Sequence, residues 1–176
     1  IGIATATYNF CIPFFWFDPA GQLVEHFTAE QETTVCTAAK RLLSHSNARV
    51  IGQNLIYDYQ FLLRRLGIKL NMFGDTMCMH HLCFPGTPKS LEYLASLYCN
   101  SYRYWKDESQ DWAGKGDPND FFRYNCKDTA ATLEIYHVLL DVLTKMKKME
   151  LWEFQREQWW VAANMMMRGV RYNQAI

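Results

Sequence analysis

The sequence predicts an α/β fold, with short strands near its N-terminus and amphipathic helices after them. Residues 1–7 and 10–17 are short apolar runs rich in β-branched and aromatic side chains, a composition typical of strands. From about Glu30 the apolar residues recur with a helical period. A third apolar run, at residues 48–53, leads directly into a helical segment. Strand, turn and helix in this order indicate a sheet that includes a parallel strand and is covered by helices.

The first two runs are predicted to form a hairpin, with Tyr8 and Asn9 as its turn. Residues 22–27 are predicted to form another strand. Thr28 is expected to cap the helix that follows, because its hydroxyl can accept a hydrogen bond from the first helical turn.

Glycine, serine and proline bound the remaining helices. Gly67 ends one helix, residues 74–76 (Gly-Asp-Thr) open another, Ser90 caps a third and Pro118 starts a long one. Residues 100–117 are polar and aromatic without a period, and we interpret them as a loop long enough to carry function. The predicted helices cover about residues 55–66, 76–82, 91–97, 118–146 and 150–167.

Composition and charge narrow the class of protein. The 176 residues are 49% hydrophobic, which is enough for one compact domain with a core. No apolar run is long enough to span a bilayer, and the six cysteines include no Cys-x-x-Cys pair. We therefore expect a cytoplasmic domain with reduced cysteines and no membrane partner. The formal net charge of zero gives no reason by itself to expect a nucleic-acid partner.

Two pairs of polar residues stand where a site is expected. Asn54 and Asp58 follow the strand at 48–53, at the strand end where α/β folds place their sites. Tyr124 and Asp128 lie four residues apart in a predicted helix, so one turn presents a hydroxyl and a carboxylate on one face. Each pair alone has a plainer interpretation. An acidic residue in a first helical turn stabilises the helix dipole, and a Tyr/Asp pair often lies on a solvated face.

The loop at 100–117 carries a third candidate. Tyr104, Trp105 and Lys106 interleave rings with a basic residue, a composition suited to stacking single-stranded bases and contacting phosphate. The alternative is a surface loop whose rings fold back onto the core.

Several segments follow one another along nearly the whole chain: Val50 to Asp58, Leu66-Gly67-Ile68, Asp75-Thr76-Met77, Ser90 to Ala95, Tyr124 to Asp128 with Thr132-Leu133, and Met167 to Arg171. In this order they resemble the proofreading 3′-5′ exonuclease domain of bacterial and phage family A DNA polymerases. The resemblance is more specific than any single motif.

This resemblance implies a ribonuclease H-like fold, a mixed β-sheet flanked by helices, in which four carboxylates hold two Mg²⁺ or Mn²⁺ ions. Asp58 and Asp128 would be the third and fourth of these carboxylates. Tyr124 would orient and help deprotonate the attacking water, and Asn54 would steady the pocket or the terminal nucleotide. The implied partners are the 3′ end of single-stranded DNA and a polymerase domain of the same chain. Residues 1–147 would form the exonuclease domain, and 148–176 a helix that leads into the polymerase.

The chain departs from the family at the first two carboxylates. Members carry Asp-x-Glu on their first strand, whereas the first acidic residue here is Asp18. We therefore expect the chain to lack that strand, to bind metal poorly by itself and to cleave at background rate. Arg123 stands where a related branch has histidine, which favours the branch that uses Tyr124. Two alternatives stay open: a non-catalytic scaffold beside a polymerase, and an RNA-trimming exonuclease of the ribonuclease D kind.

Overall fold

The computed structural model describes residues 1–18, 20–100, 105 and 117–171. Within those residues six short strands precede or alternate with six helices, which confirms the α/β class. The strands are β1 (Gly2–Ala4), β2 (Asn9–Cys11), β3 (Phe15–Phe17), β4 (Leu23–Glu25), β5 (Val50–Gly52) and β6 (Met72–Asp75). The helices are α1 (Ala29–Leu43), α2 (Leu55–Leu66), α3 (Thr76–Cys83), α4 (Leu91–Tyr98), α5 (Pro118–Lys145) and α6 (Met149–Arg168).

The described strands form three two-stranded sheets, which differs from the single mixed sheet implied by the resemblance. β1 pairs with β2 and β3 with β4, both antiparallel, while β5 and β6 pair in parallel. The predicted strand at 10–17 is split between β2 and β3 around Pro13, which has no N–H to donate to a ladder. The first hairpin is confirmed, but its turn lies earlier than predicted. The Thr5 N–H donates to the Tyr8 carbonyl at 2.7 Å, and Asn9 already belongs to β2.

The helix boundaries follow local capping signals closely. Thr28 forms a capping box with Gln31 at the start of α1, and Ser90 caps α4. Gly67 ends α2 in the left-handed conformation, at φ 62°. α5 is one continuous helix of 28 residues, which begins at Pro118.

α5 is the central element of the fold. It packs against the β1–β2 hairpin, β5, α3, α4 and α6. Its residues Ile135, Leu139 and Leu143, spaced one turn apart, are completely buried. β6 approaches this helix so closely that its Gly74 has no space for a side chain. A Cβ there would lie 2.5 Å from Cε2 of Tyr136.

We predict that Gly74→Ala lowers the free energy of unfolding by about 1–3 kcal/mol, because either β6 or the ring of Tyr136 must move. Gly86→Ala is the matched control, since a Cβ at Gly86 meets no atom within 4 Å. Urea unfolding followed by circular dichroism measures both variants. Equal stability of the two would contradict the observed packing of β6 on α5.

α6 packs onto α2 at the edge of this core. The rings of Tyr59 and Trp160 meet edge to face, with centroids 5.7 Å apart, and the Arg64 guanidinium donates to the carbonyls of Met166 and Met167. The division into residues 1–147 and 148–176 stays a prediction. None of the helices in the described ranges is long and apolar enough to cross a membrane.

Candidate active site

The candidate site lies at the end of the one parallel strand pair in the described chain. β5 and β6 run in the same direction, and each leads into a helix at the same edge: β5 into α2 and β6 into α3. The N-termini of both helices therefore meet there. This edge is where open α/β sheets bind their ligands.

Asp75 joins the two helix N-termini. Its carboxylate is buried and accepts four backbone N–H groups, two from the α2 side and two from the α3 side. One oxygen, Oδ2, accepts from Leu55 at 2.7 Å. The other, Oδ1, accepts from Asn54 at 3.2 Å, Met77 at 2.9 Å and Cys78 at 3.2 Å. The sequence indicates only that residues 74–76 open a helix, because the contact with α2 depends on strand pairing.

Asn54 occupies the turn between β5 and α2. It has a left-handed backbone, with φ 58° and ψ 44°, a conformation that asparagine tolerates better than most residues. Its side chain makes no capping hydrogen bond. The Asp75 carboxylate accepts the N–H groups of Asn54 and Leu55, and the Asn54 carbonyl accepts that of Tyr57. The exposed amide of Asn54 is thus not used to hold the helix, which is compatible with the predicted substrate contact.

Asp58 lies in the first turn of α2 and has a perturbed acidity. Burial of the carboxyl, reinforced by the nearby Asp75 carboxylate and opposed by a backbone hydrogen bond, raises its pKa from 3.8 to about 6. The residue as a whole is exposed at the surface, and the protein atoms around its carboxyl group cause the rise in pKa. A carboxyl group with a raised pKa beside another acid is typical of catalytic and metal-binding positions.

We predict that Asp58→Asn stabilises the metal-free chain, and increasingly so between about pH 4 and pH 6. In this window the folded state binds more protons than the unfolded state, because the folded pKa is the higher one. Folding stability of the native sequence therefore falls as the pH rises through it, whereas asparagine does not titrate. Thermal unfolding in EDTA at both ends of the window measures the difference. Glu153→Gln, exposed on α6, controls for the loss of a negative charge. A gain in stability that is the same at both pH values would contradict the raised pKa.

Asp128 and Tyr124 lie one turn apart on α5. Oδ1 of Asp128 accepts a hydrogen bond from the Trp105 indole at 2.8 Å, and the Thr132 hydroxyl donates to the Asp128 carbonyl at 2.8 Å. The half-buried Tyr124 ring stacks on Phe121, with an angle of 15° between the planes. Both candidate side chains are thus oriented by their neighbours.

Trp105 has a different position from the one that base stacking requires. Only 8% of the residue is exposed, and its indole N–H is directed to Asp128. The ring therefore folds back onto the core and holds a candidate carboxylate. The other two predicted loop contacts, Tyr104 and Lys106, lie outside the described residues.

The β1–β2 hairpin also contacts this stretch of α5. The Asn9 amide donates to the Cys126 carbonyl at 2.9 Å and accepts from the Thr129 hydroxyl at 3.1 Å. Gly2 approaches Asn125 so closely that a Cβ would lie 2.0 Å from its Oδ1. These contacts set the rotation of α5 at the turn that carries Tyr124 and Asp128.

The two predicted metal ligands come from elements that pack together. Asp58 follows β5 through the Asn54 turn, and α5, which carries Asp128, packs against β5. The charged group that acts on Asp58 is Asp75. Among the described residues no group of three or more His, Cys, Asp or Glu side chains could hold a metal ion.

An exposed aromatic pair flanks Asp58 and was not singled out from the sequence. Tyr57 is 56% and Phe61 51% exposed, and their ring centroids are 4.9 Å apart. The signal was present, because aromatic residues four apart in a helix lie on one face. The exposure of that face could be learned only from the packing of α2.

The parallel strand pair, the acidic strand end and the Tyr/Asp turn on the central helix are consistent with a nuclease-like α/β domain. The model of the 3′-5′ exonuclease family matches residues 5–144 of the chain. The chain therefore belongs to this family, the 3′-5′ exonuclease domain of family A DNA polymerases, and the resemblance seen in the sequence is confirmed. A search of curated proteins gave no significant match.

Proposed function

We propose that this chain is a proofreading domain that removes nucleotides from the 3′ end of single-stranded DNA by two-metal hydrolysis. The observation that carries the proposal is the match of residues 5–144 to the 3′-5′ exonuclease family. A polymerase domain of the same parent chain would supply the mispaired ends.

The candidate residues are carboxylates, which suit a divalent cation, but they are fewer than a two-metal site requires. Asp58 is a poorly hydrated carboxyl group with another acid beside it and, in the described chain, no basic partner. A bound cation would relieve this unfavourable charge, and hard oxygen ligands suit Mg²⁺ and Mn²⁺. Asp58 and Asp128 are two of the four carboxylates that such a site requires, since the chain contains no Asp-x-Glu.

Each of the candidate residues has a distinct role in the proposal. Asp58 and Asp128 would hold a pair of metal ions, which would supply Lewis-acid stabilisation of the attacking and leaving oxygens. Tyr124 orients the attacking water and helps to remove its proton. Asn54 hydrogen-bonds the terminal nucleotide with the amide that its helix does not use. Trp105, through its hydrogen bond, keeps Asp128 in place rather than stacking a base.

The separation of the sheets supports the presence of one more strand in the active protein. β1 and β5 both pack against α5, but within the described residues each pairs with only one neighbour, β2 and β6 respectively. A strand inserted between them would join the two pairs into one sheet of the ribonuclease H-like type. It would lie beside α5, and an Asp-x-Glu on it would supply the two remaining carboxylates.

The aromatic pair on α2 is suited to the substrate. Tyr57 and Phe61 are exposed next to Asp58, and base stacking on an aromatic ring is favourable for every base. We therefore assign the unpaired bases near the 3′ end to this surface. The net charge of zero is compatible with a domain that grips only a few nucleotides.

The direct test uses a parent chain that contains this domain and an Asp-x-Glu strand. Single-stranded DNA and RNA of one sequence, each labelled at the 3′ terminus, are incubated with Mg²⁺ or with EDTA. The proposal predicts metal-dependent release of labelled nucleoside 5′-monophosphate from DNA. Preferred trimming of RNA would replace it with the ribonuclease D-like alternative, and release from neither strand would favour a scaffold.

A further inference from the structure

We infer that Asp75 is a positioning residue for catalysis, which holds the Asn54–Asp58 turn in the register that the metal site needs; this rests on the proposed exonuclease function. Asp75 would not contact substrate or metal. It would act through the backbone that carries the two candidate residues.

The first argument is the number and origin of its hydrogen bonds. A carboxylate that caps one helix usually satisfies one or two N–H groups of that helix. Asp75 satisfies four, and those of Asn54 and Leu55 belong to a helix that is 20 residues away in the chain. All four partners are donors, as an ionised carboxylate requires. The side chain thus fixes α2 relative to α3.

The second argument is that, among the described residues, Asp75 provides the side-chain acceptor at the start of α2. The N-cap side chain, Asn54, makes no capping bond, in contrast to Thr28 in α1, Ser90 in α4 and Asp117 in α5. A left-handed backbone costs free energy, so contacts with the surrounding structure must hold this residue in that conformation. Without the Asp75 carboxylate, the N–H groups of Asn54 and Leu55 lose their acceptor, whereas the Tyr57 N–H keeps the Asn54 carbonyl.

The third argument is that the other hydrogen bonds near Asp75 do not involve the N–H groups at the start of α2. The Gln53 amide donates to the Lys89 carbonyl at 2.7 Å, and the Thr76 hydroxyl bonds both Gln53 and the Gly52 carbonyl. These bonds hold the end of β5 in place. They end one residue before Asn54, so they do not replace the two hydrogen bonds that Asp75 accepts from the N–H groups of Asn54 and Leu55.

The experiment compares Asp75→Asn with Thr28→Ala in the parent chain. Both variants lose a helix cap, but Thr28 caps α1, which carries no candidate residue. The amide of asparagine presents one acceptor and one donor, so the N–H groups of α2 and α3 cannot all be satisfied. Assays run at a temperature at which both variants are folded by circular dichroism.

For Asp75→Asn we expect a kcat about 10 to 100 times lower with little change in KM for single-stranded DNA, and a similar loss of Mn²⁺ affinity by calorimetry. Hydrogen exchange by mass spectrometry should show faster exchange in peptides that cover residues 54–58. Thr28→Ala should retain the kcat and Mn²⁺ affinity of the native sequence.

Native kcat, Mn²⁺ affinity and exchange in Asp75→Asn would overturn the inference, as would an equal loss of kcat in Thr28→Ala. Either result leaves the proposed function intact if Asp58→Ala is inactive in the same assay. An active Asp58→Ala would instead reject the proposed function itself.

Discussion

Replacing Asp58 or Asp128 with alanine in the parent chain should reduce release of 3′-terminal nucleotides by about 1,000-fold or more. Such a loss corresponds to about 4 kcal/mol of transition-state stabilisation, the order expected when a metal-bound carboxylate is removed. The effect should fall on kcat, because the metal pair stabilises charge that develops in the transition state. Tyr124→Phe should lose about 100-fold, since it removes a proton-transfer group but leaves the metal ligands.

Asp141→Ala is the matched control for Asp128→Ala. Asp141 lies on the same helix, is exposed and pairs only with Lys145 one turn on, so its loss should cost less than about 1 kcal/mol of stability and no activity. A native rate for either Asp58→Ala or Asp128→Ala would reject the assignment of these residues. DNA binding by the inactive variants is measured by fluorescence anisotropy in Ca²⁺. Native affinity would show that the substitutions impair the chemical step and not the binding of substrate.

The second large effect concerns the two carboxylates that this chain does not contain. The 176-residue chain by itself should cleave 3′-labelled DNA at background rate, because the proposed site requires four carboxylates and the chain contains no Asp-x-Glu to supply two of them. Adding an N-terminal strand with Asp-x-Glu should raise the rate by about 1,000-fold or more, since a shared ligand is needed to hold both ions.

The control for this comparison is the same extension with Ala-x-Ala. It completes the sheet but supplies no ligand, so it should stabilise the fold without restoring cleavage. Cleavage by the unextended chain at the rate of the Asp-x-Glu form would show that other residues complete the site. Equal thermal stability of the unextended and Ala-x-Ala forms would count against a strand between β1 and β5.

The parts of the fold that sequence predicts are those set by neighbours in the chain. Thr28, Gly67 and Ser90 mark helix ends because each satisfies backbone groups within one turn of itself. The sequence predicts only that residues 74–76 open a helix, and the Gly74 and Asp75 of β6 are of residue types that are rare in strands. It becomes a strand through its pairing with β5, which no local pattern records.

The candidate site also combines residues that the sequence identifies with residues whose contacts only the folded structure reveals. Asp58 and Asp128 could be picked out because the segments around them resemble the family. The role of Asp75 could not, since its four hydrogen bonds link two helices that are distant in sequence. Trp105 is the opposite case. The composition of its loop suggests an exposed stacking surface, but the ring is buried and its N–H is directed to Asp128. Hydrogen-bond geometry, rather than residue type, decides both roles.

The shared use of divalent cations by Asp58 and Asp128 is tested most directly by a crystal structure of the parent chain soaked in Mn²⁺, with the ions located by anomalous scattering. We predict two ions roughly 4 Å apart, with oxygens of Asp58 and Asp128 within about 2.5 Å of them. Ions bound elsewhere, or carboxyl groups of these two residues directed to different faces of the domain, would contradict the account.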